Sequence, residues 1–360
     1  MDASVVGARH ASALARAAET AWPRGKVIAL EPLAGDASAR RYVRVRLAGD
    51  APASAIAMLL PHDEPATKSE EITTGEAPSE LPFVDVHRYL ARHGVPVMAI
   101  YHVDERDGVL LLEDLGDLPL ADAACDGGPY ERDRRALFEQ AVDVLASISA
   151  LVRAPDPRCI AFRNRYDREL IGLELDVVCS HGFAPSDAGP ARAADADPEL
   201  RAALARLGDR IAAQPIVLMH RDFHAWNLHV DAQGAIRVID FQDALLGPAL
   251  YDLASLCTDR DSDRFVDPEL EAILVRRFGA ELARRGGVLD ADALHADYFD
   301  AVAYRTLRVI GRFRFLAIER GKTGYLRFLP RMARQTVRAL EARGDRDLLR
   351  VLAARSELFA

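Results

Sequence analysis

The hydrophobic period of this chain changes near Gly116, and few folds accommodate such a change. From Lys26 to about Leu115 the runs VIALEPL, RYVRVRL, SAIAMLL, MAIYHV and VLLLEDL are short, apolar or alternating, and punctuated by Gly, Asp and Pro. Alternation sends successive side chains to opposite faces of a strand, so these runs predict an antiparallel sheet. One helix interrupts them, PFVDVHRYLARHG, with Pro82 in its first turn and Gly94 at its end. Beyond Gly116, RRALFEQAVDVLASISALV sets Leu137, Ala141, Val144, Leu145, Ile148 and Leu151 on one stripe. LEAILVRRFGAELARRG, AVAYRTLRVIGRFRFLAIERG and RMARQTVRALEARG repeat that helical spacing, and MDASVVGARHASALARAAETAW at the start reads as a short amphipathic helix.

At 360 residues the chain exceeds the usual size of a single core. The expected architecture is therefore α+β with two lobes: a small antiparallel-sheet N-lobe over residues 1–115 and a larger, mainly helical C-lobe over residues 116–360. A cleft between lobes is where ligands tend to bind. IVLMHRDFHAWNLHVDAQGAIRVIDFQDALLG reads as two short strands framing a polar loop, and the stretch from about Pro185 to Pro198 as a surface loop.

The net charge of −9 leaves no basic footprint for a polyanion, which argues against nucleic acid as a partner. The four cysteines lie far apart without a CxxC pair, suggesting neither a zinc site nor a disulfide framework and fitting a reducing cytoplasm. No run of eighteen apolar residues occurs, so membrane spanning is not expected. The sequence leaves the oligomeric state open.

The densest polar cluster is His220-Arg-Asp222-Phe-His-Ala-Trp-Asn227, followed by Val238-Ile-Asp240-Phe241-Gln-Asp243. Phosphoryl transfer needs a base aimed at the attacking hydroxyl and oxygen ligands for magnesium. Asp222 suits the first role, Asn227 and Asp240 the second, and magnesium takes its remaining ligands from water and nucleotide phosphates. Asn227 follows Asp222 by five positions and Asp240 follows Asn227 by thirteen, which resembles the catalytic loop and metal-binding aspartate of protein kinases. The plainer alternative is that these residues build turns and a helix cap. His220 fits a bracing role; His220, His224 and His229 lack the HExxH pattern of a zinc helix.

Leu33 to Tyr42, with Gly35, Ser38 and Arg41, lies between the first two strands, where a turn can bring backbone N–H groups and positive charge to phosphate. An ordinary hairpin turn has the same composition. Leu110 to Gly116 leaves the small lobe, where the backbone of Glu113 and Leu115 can meet an adenine edge or simply link the lobes. Gly321-Lys322-Thr323 looks like the end of a P-loop, but Leu316 stands where that motif needs glycine, and a helix precedes it.

With these residues assembled, the chain resembles the aminoglycoside phosphotransferase and choline kinase superfamily over nearly its whole length. Within it the chain looks closest to the bacterial kinases of cell-wall recycling that phosphorylate N-acetylmuramate and N-acetylglucosamine at the anomeric hydroxyl. The shared signatures are DASARRY at 36–42, LLLEDLGD at 110–117, HRDFHAWNL at 220–228 and VIDFQDALLGPALYDLASL at 238–256. The resemblance implies a protein-kinase-like fold, ATP and Mg2+ as cofactors, nucleotide binding by the N-lobe, and the catalytic loop and amino-sugar pocket in the C-lobe. It implies Asp222 as base, Asn227 and Asp240 as magnesium ligands, and Asp252 as a brace for the catalytic loop.

The chain departs from the wider kinase pattern at Met58, where the third strand would carry a phosphate-holding lysine; Arg41, or else Arg40 or Lys68, is the expected replacement. It departs from the subgroup at Val178 to Phe183, where an aromatic element near the sugar is expected after Tyr166-Asp167 and Glu174; Glu174 itself is a candidate sugar-binding residue. Arg305, Arg308 and Arg312 share a helical face that can meet the lactyl carboxylate of muramate, or can simply be solvated. Two other functions fit the same residues: an aminoglycoside or other small-alcohol kinase, and a nucleotide-binding pseudokinase.

Overall fold

The computed structural model describes residues 8–33, 40–61, 80–183 and 197–360. Gly35, Ser38 and Lys68, and most of the expected surface loop before Pro198, lie outside the described residues. By its contacts the chain divides into two compact units, Met1–Leu118 with His229–Gln242, and Pro119–Leu228 with Asp243–Ala360.

In the first unit, helix α1 (Ala8–Ala21) precedes strands β1 (Gly25–Pro32), β2 (Arg41–Gly49) and β3 (Ser54–Leu59), helix α2 (Pro82–Arg92), and strands β4 (Ile100–Asp104) and β5 (Val109–Glu113). The strands form one antiparallel sheet in the order β1-β2-β3-β5-β4, as the alternating runs predict. Cross-strand partners share a face. Val43, Val45 and Leu47 therefore join Ala55, Ala57, Leu59, Val109 and Leu111 in a core closed by Ala13, Leu14, Ala17 and Ala18 of α1. Burying a side chain as completely as Leu14, at 0% exposure, contributes about 1.5–3 kcal/mol. The register Tyr42↔Met58 and Arg44↔Ile56 puts those four on the opposite face.

The division differs from a single break at residue 116, because residues 229–242 return to the first unit. There β7 (Leu228–Val230) and β8 (Ile236–Val238) pair as a two-stranded sheet. Val230 N–H donates to the Leu118 carbonyl and Val238 N–H to the Pro96 carbonyl, each at 2.9 Å, and Arg237 reaches Glu113 at 2.7 Å.

The second unit is helical, with α3 (Leu120–Ala123), α4 (Arg134–Ala150), α5 (Arg168–His181), α6 (Pro198–Ala212), α7 (Tyr251–Thr258), α8 (Pro268–Arg284), α9 (Leu294–Arg320), α10 (Leu329–Arg343) and α11 (Arg346–Ala353). The 27-residue α9 packs on α5, α6, α7 and α10. Its Gly311 permits close approach to α5, since a Cβ there would lie 3.0 Å from the Val178 Cα. The α9 helix ends at Gly321, φ 65, so Gly321-Lys322-Thr323 is a helix terminus rather than a phosphate loop. Between α6 and α7, β6 (Ile216–Met219) pairs with β9 (Leu245–Pro248). The region thus holds four short strands in two pairs, where the sequence suggests two.

Candidate active site

The loop carrying Asp222 leaves β6, whose Val217, Leu218 and Met219 are buried and fix its origin. Arg221 then takes φ 80; it and Asp240, φ 64, are the non-glycine residues with positive φ among those described. Such conformations cost free energy and persist where surrounding structure holds them, often at functional sites. Asp252, in the first turn of α7 and 2% exposed, does the holding. One of its carboxylate oxygens accepts the His220 N–H at 2.6 Å and the other the Arg221 N–H at 2.9 Å. Burial pushes the Asp252 carboxyl up to about 7, against the pull of the His220 N–H, and the neighbouring Asp222 charge adds to the rise.

Asp222 is half-buried. Burial by itself would raise its pKa, but the charges of His224, Arg308, Arg221 and His220 outweigh that and hold the carboxyl below its ordinary value. It is therefore ionised at neutral pH and can accept a hydrogen bond from an acceptor hydroxyl. Asn227 closes the loop: its Nδ2 donates to the Asp222 carbonyl at 2.9 Å, and its backbone N–H to the His224 carbonyl at 2.9 Å.

Behind Asp222 lies a carboxylate–arginine cluster. Glu174 on α5 accepts hydrogen bonds from the Tyr166 hydroxyl and, at 2.9 Å, from the Tyr304 hydroxyl. It pairs with Arg308 Nε at 2.6 Å and faces Arg221 Nη2 at 3.6 Å. Arg305, 5% exposed, pairs instead with buried Asp259 at 2.8 Å, which excludes a solvated face for it. Arg312 lies over the Phe315 ring at 5.4 Å.

In the first unit, Asp240 Oδ1 accepts the Gln242 Nε2 at 2.8 Å, and the fully buried Phe241 stacks on Phe83 with centroids 5.1 Å apart. Tyr42, which registers with Met58, is hydrogen-bonded by the Arg40 side chain and lies in the field of Asp240. Arg41 is exposed and registers with Leu59, which assigns it to the α1 face of the sheet. The Glu113 carboxylate is engaged by Arg237 and by the Ala99 N–H at 2.8 Å, and the Glu113 N–H donates to the Ala99 carbonyl at 2.8 Å. Leu115 is half-buried in a turn closed by the Gly116 N–H on Asp114 Oδ1 at 3.0 Å.

Sequence reasoning overlooked two groups. Arg44 grips Asp114 at 2.7 and 3.1 Å and Asp117 at 2.8 and 2.7 Å, tying β2 to the segment after β5. Tyr304 and Asp259 were the other omission. An arginine amid valines on β2 hints at the first; no sequence period reports the second.

A family model described as a phosphotransferase enzyme family matches residues 29–288. The chain is 32% identical over 326 residues to the N-acetylmuramate/N-acetylglucosamine kinase of Caulobacter vibrioides, covering 84% of this chain and 85% of that protein. It is 30% identical over 336 residues to the protein of the same name from Pseudomonas aeruginosa, covering 90% and 87%. Among solved structures, a choline kinase from Cryptosporidium parvum aligns with TM-score 0.58 at 11% identity over 97% of this chain and 100% of that one. ADP-bound aminoglycoside phosphotransferase APH(2'')-Ib aligns with TM-score 0.56 at 12% identity over 94% and 99%. These two share the fold. With the family match spanning most of the sequence, the chain belongs to the phosphotransferase enzyme family.

Proposed function

We propose that this protein transfers the γ-phosphoryl group of ATP to the anomeric hydroxyl of N-acetylmuramate or N-acetylglucosamine, in salvage of peptidoglycan sugars in the cytoplasm. The observation that carries the reaction type is Asp222, an ionised carboxylate presented by a braced turn among cationic side chains. The names of the relatives carry the acceptor class. In this reading residues 1–115 bind nucleotide and residues 116–360 bind the sugar and perform the transfer.

Asp222 orients the attacking hydroxyl and takes its proton as the new phosphate ester forms. Arg308 and Arg221 offset the negative charge that gathers beside it. The donor chemistry fits a hard divalent cation: Asn227 carries an amide oxygen and Asp240 a carboxylate. We assign Asn227 and Asp240 to hold Mg2+, which neutralises nucleotide phosphate charge when bound. The test is ADP release with N-acetylmuramate, N-acetylglucosamine, choline, homoserine and kanamycin, with phosphorus NMR of the product. The expected product is a sugar 1-phosphate; release only with choline, homoserine or kanamycin would overturn the assignment.

A further inference from the structure

Glu174 stands in the second unit where a sugar ligand was expected, yet its carboxylate is turned to the protein. Its side chain is 12% exposed. Oε2 takes both tyrosine hydroxyls and Arg308 Nε, while Oε1 faces the Arg221 guanidinium. Tyr166 and Tyr304 are 1% and 0% exposed, and their hydroxyls also meet each other at 2.9 Å. Oε2, with about two lone-pair sites, is therefore filled from inside the fold, and Oε1 is directed at the Arg221 guanidinium.

The two cations that Glu174 holds are the ones beside the base. Arg221 immediately precedes Asp222 and carries the left-handed backbone; Arg308 and Arg221 are among the charges that keep Asp222 ionised. Asp252 fixes the backbone of that turn, and Glu174 forms an ion pair with its side chain at 3.6 Å. Tyr304 and Arg308 lie one turn apart on α9, so a single carboxylate from α5 ties this helix to the catalytic turn. Burial would by itself raise the Glu174 pKa, but Arg308, the Tyr166 hydroxyl and Arg221 hold it below its ordinary value, so the anchor stays charged.

We propose that Glu174 is a positioning residue for the catalytic loop, holding Arg221 and Arg308 beside Asp222 rather than contacting the sugar. This rests on the assignment of Asp222 as the base. A positioning residue and a sugar ligand differ in kinetics: the first acts on kcat, the second on the sugar KM.

The experiment is steady-state kinetics of the full chain with ATP and N-acetylmuramate for wild type, the single variants Glu174→Gln, Arg221→Lys and Arg308→Met, and the double variant E174Q/R308M. Misplacement of the base by about 1 Å costs about 100-fold in kcat. That loss is expected for Glu174→Gln, with the sugar KM and the ATP dissociation constant held. The double variant should lose no more than the worse single change, because both act through one contact. Arg221→Lys keeps the charge but shortens the reach to Glu174, and gives the same kcat-selective loss; it keeps the proposal testable if Glu174→Gln does not fold. A raised sugar KM with kcat intact, or unchanged kinetics in both Glu174→Gln and Arg221→Lys, overturns the proposal while leaving the kinase reading in place. A wild type without sugar-dependent ADP release overturns both.

Discussion

Replacing Asp252 by asparagine tests whether the catalytic turn is held as the geometry says. Asp252 uses one oxygen for the His220 N–H at 2.6 Å and the other for the Arg221 N–H at 2.9 Å. Asparagine has a single acceptor oxygen and must point N–H groups at the second donor. Leaving one buried N–H unsatisfied costs about 1–3 kcal/mol, and weakening the other bond from charged to neutral adds about 1 kcal/mol. Relief from burying a charge offsets part of this, so the net local cost is about 1–3 kcal/mol. Hydrogen exchange at the His220 and Arg221 amides should then quicken about 5–150-fold, since 1.4 kcal/mol is about tenfold, and kcat should fall about 100-fold. The pH dependence has a defined sign. The folded carboxyl is raised from 3.8 to about 7, so its proton-linked stability is fully present below the unfolded value and lost as pH rises through the folded one. Asparagine lacks that slope, so the deficit of the variant narrows between about pH 4 and about pH 7. Unchanged exchange at both amides, or a deficit that widens with pH, would refute the reasoning.

Two further outcomes are expected. Arg44→Ala strands the buried Asp114 carboxylate, 8% exposed, and should cost about 3–5 kcal/mol in denaturant unfolding, with Asp117, 74% exposed, contributing little; a loss under about 1 kcal/mol contradicts the clamp. Arg40→Ala should raise the ATP KM about tenfold and Arg41→Ala less, because Arg40 bonds Tyr42 on the Met58 face whereas Arg41 belongs to the α1 face; the reverse order contradicts the register.

Much of this architecture was legible where a period ran long enough to be read. The alternation of RYVRVRL, and the Leu137 to Leu151 stripe, each persist over enough residues for one face to declare itself. Strands such as β7 and β8, three residues each, are too short for that, and pairing across a polar loop creates them. Helices α6 and α8 carried a readable start: Asp197-Pro198-Glu199 and Asp267-Pro268-Glu269 each cap the helix with an aspartate and place proline in its first turn. Only the second was anticipated as helix. In the candidate site, Asp222, Asn227 and Asp240 announce themselves by spacing along the chain. The Glu174 cluster does not, since Tyr166, Glu174, Arg221 and Arg308 meet through the packing of α5 on α9, and only Gly311 marks where those helices approach. For the same reason Arg305 looks like a solvated helical residue in sequence, though it is buried against Asp259.

The central claim is that one carboxylate, Asp222, presents the acceptor hydroxyl to the nucleotide. Its most direct test is the turnover of N-acetylmuramate by Asp222→Asn alongside the ATP dissociation constant of the same protein. The account predicts a fall in kcat of about 10²–10⁴-fold with nucleotide binding intact; an Asp222→Asn protein that retains wild-type turnover would contradict it.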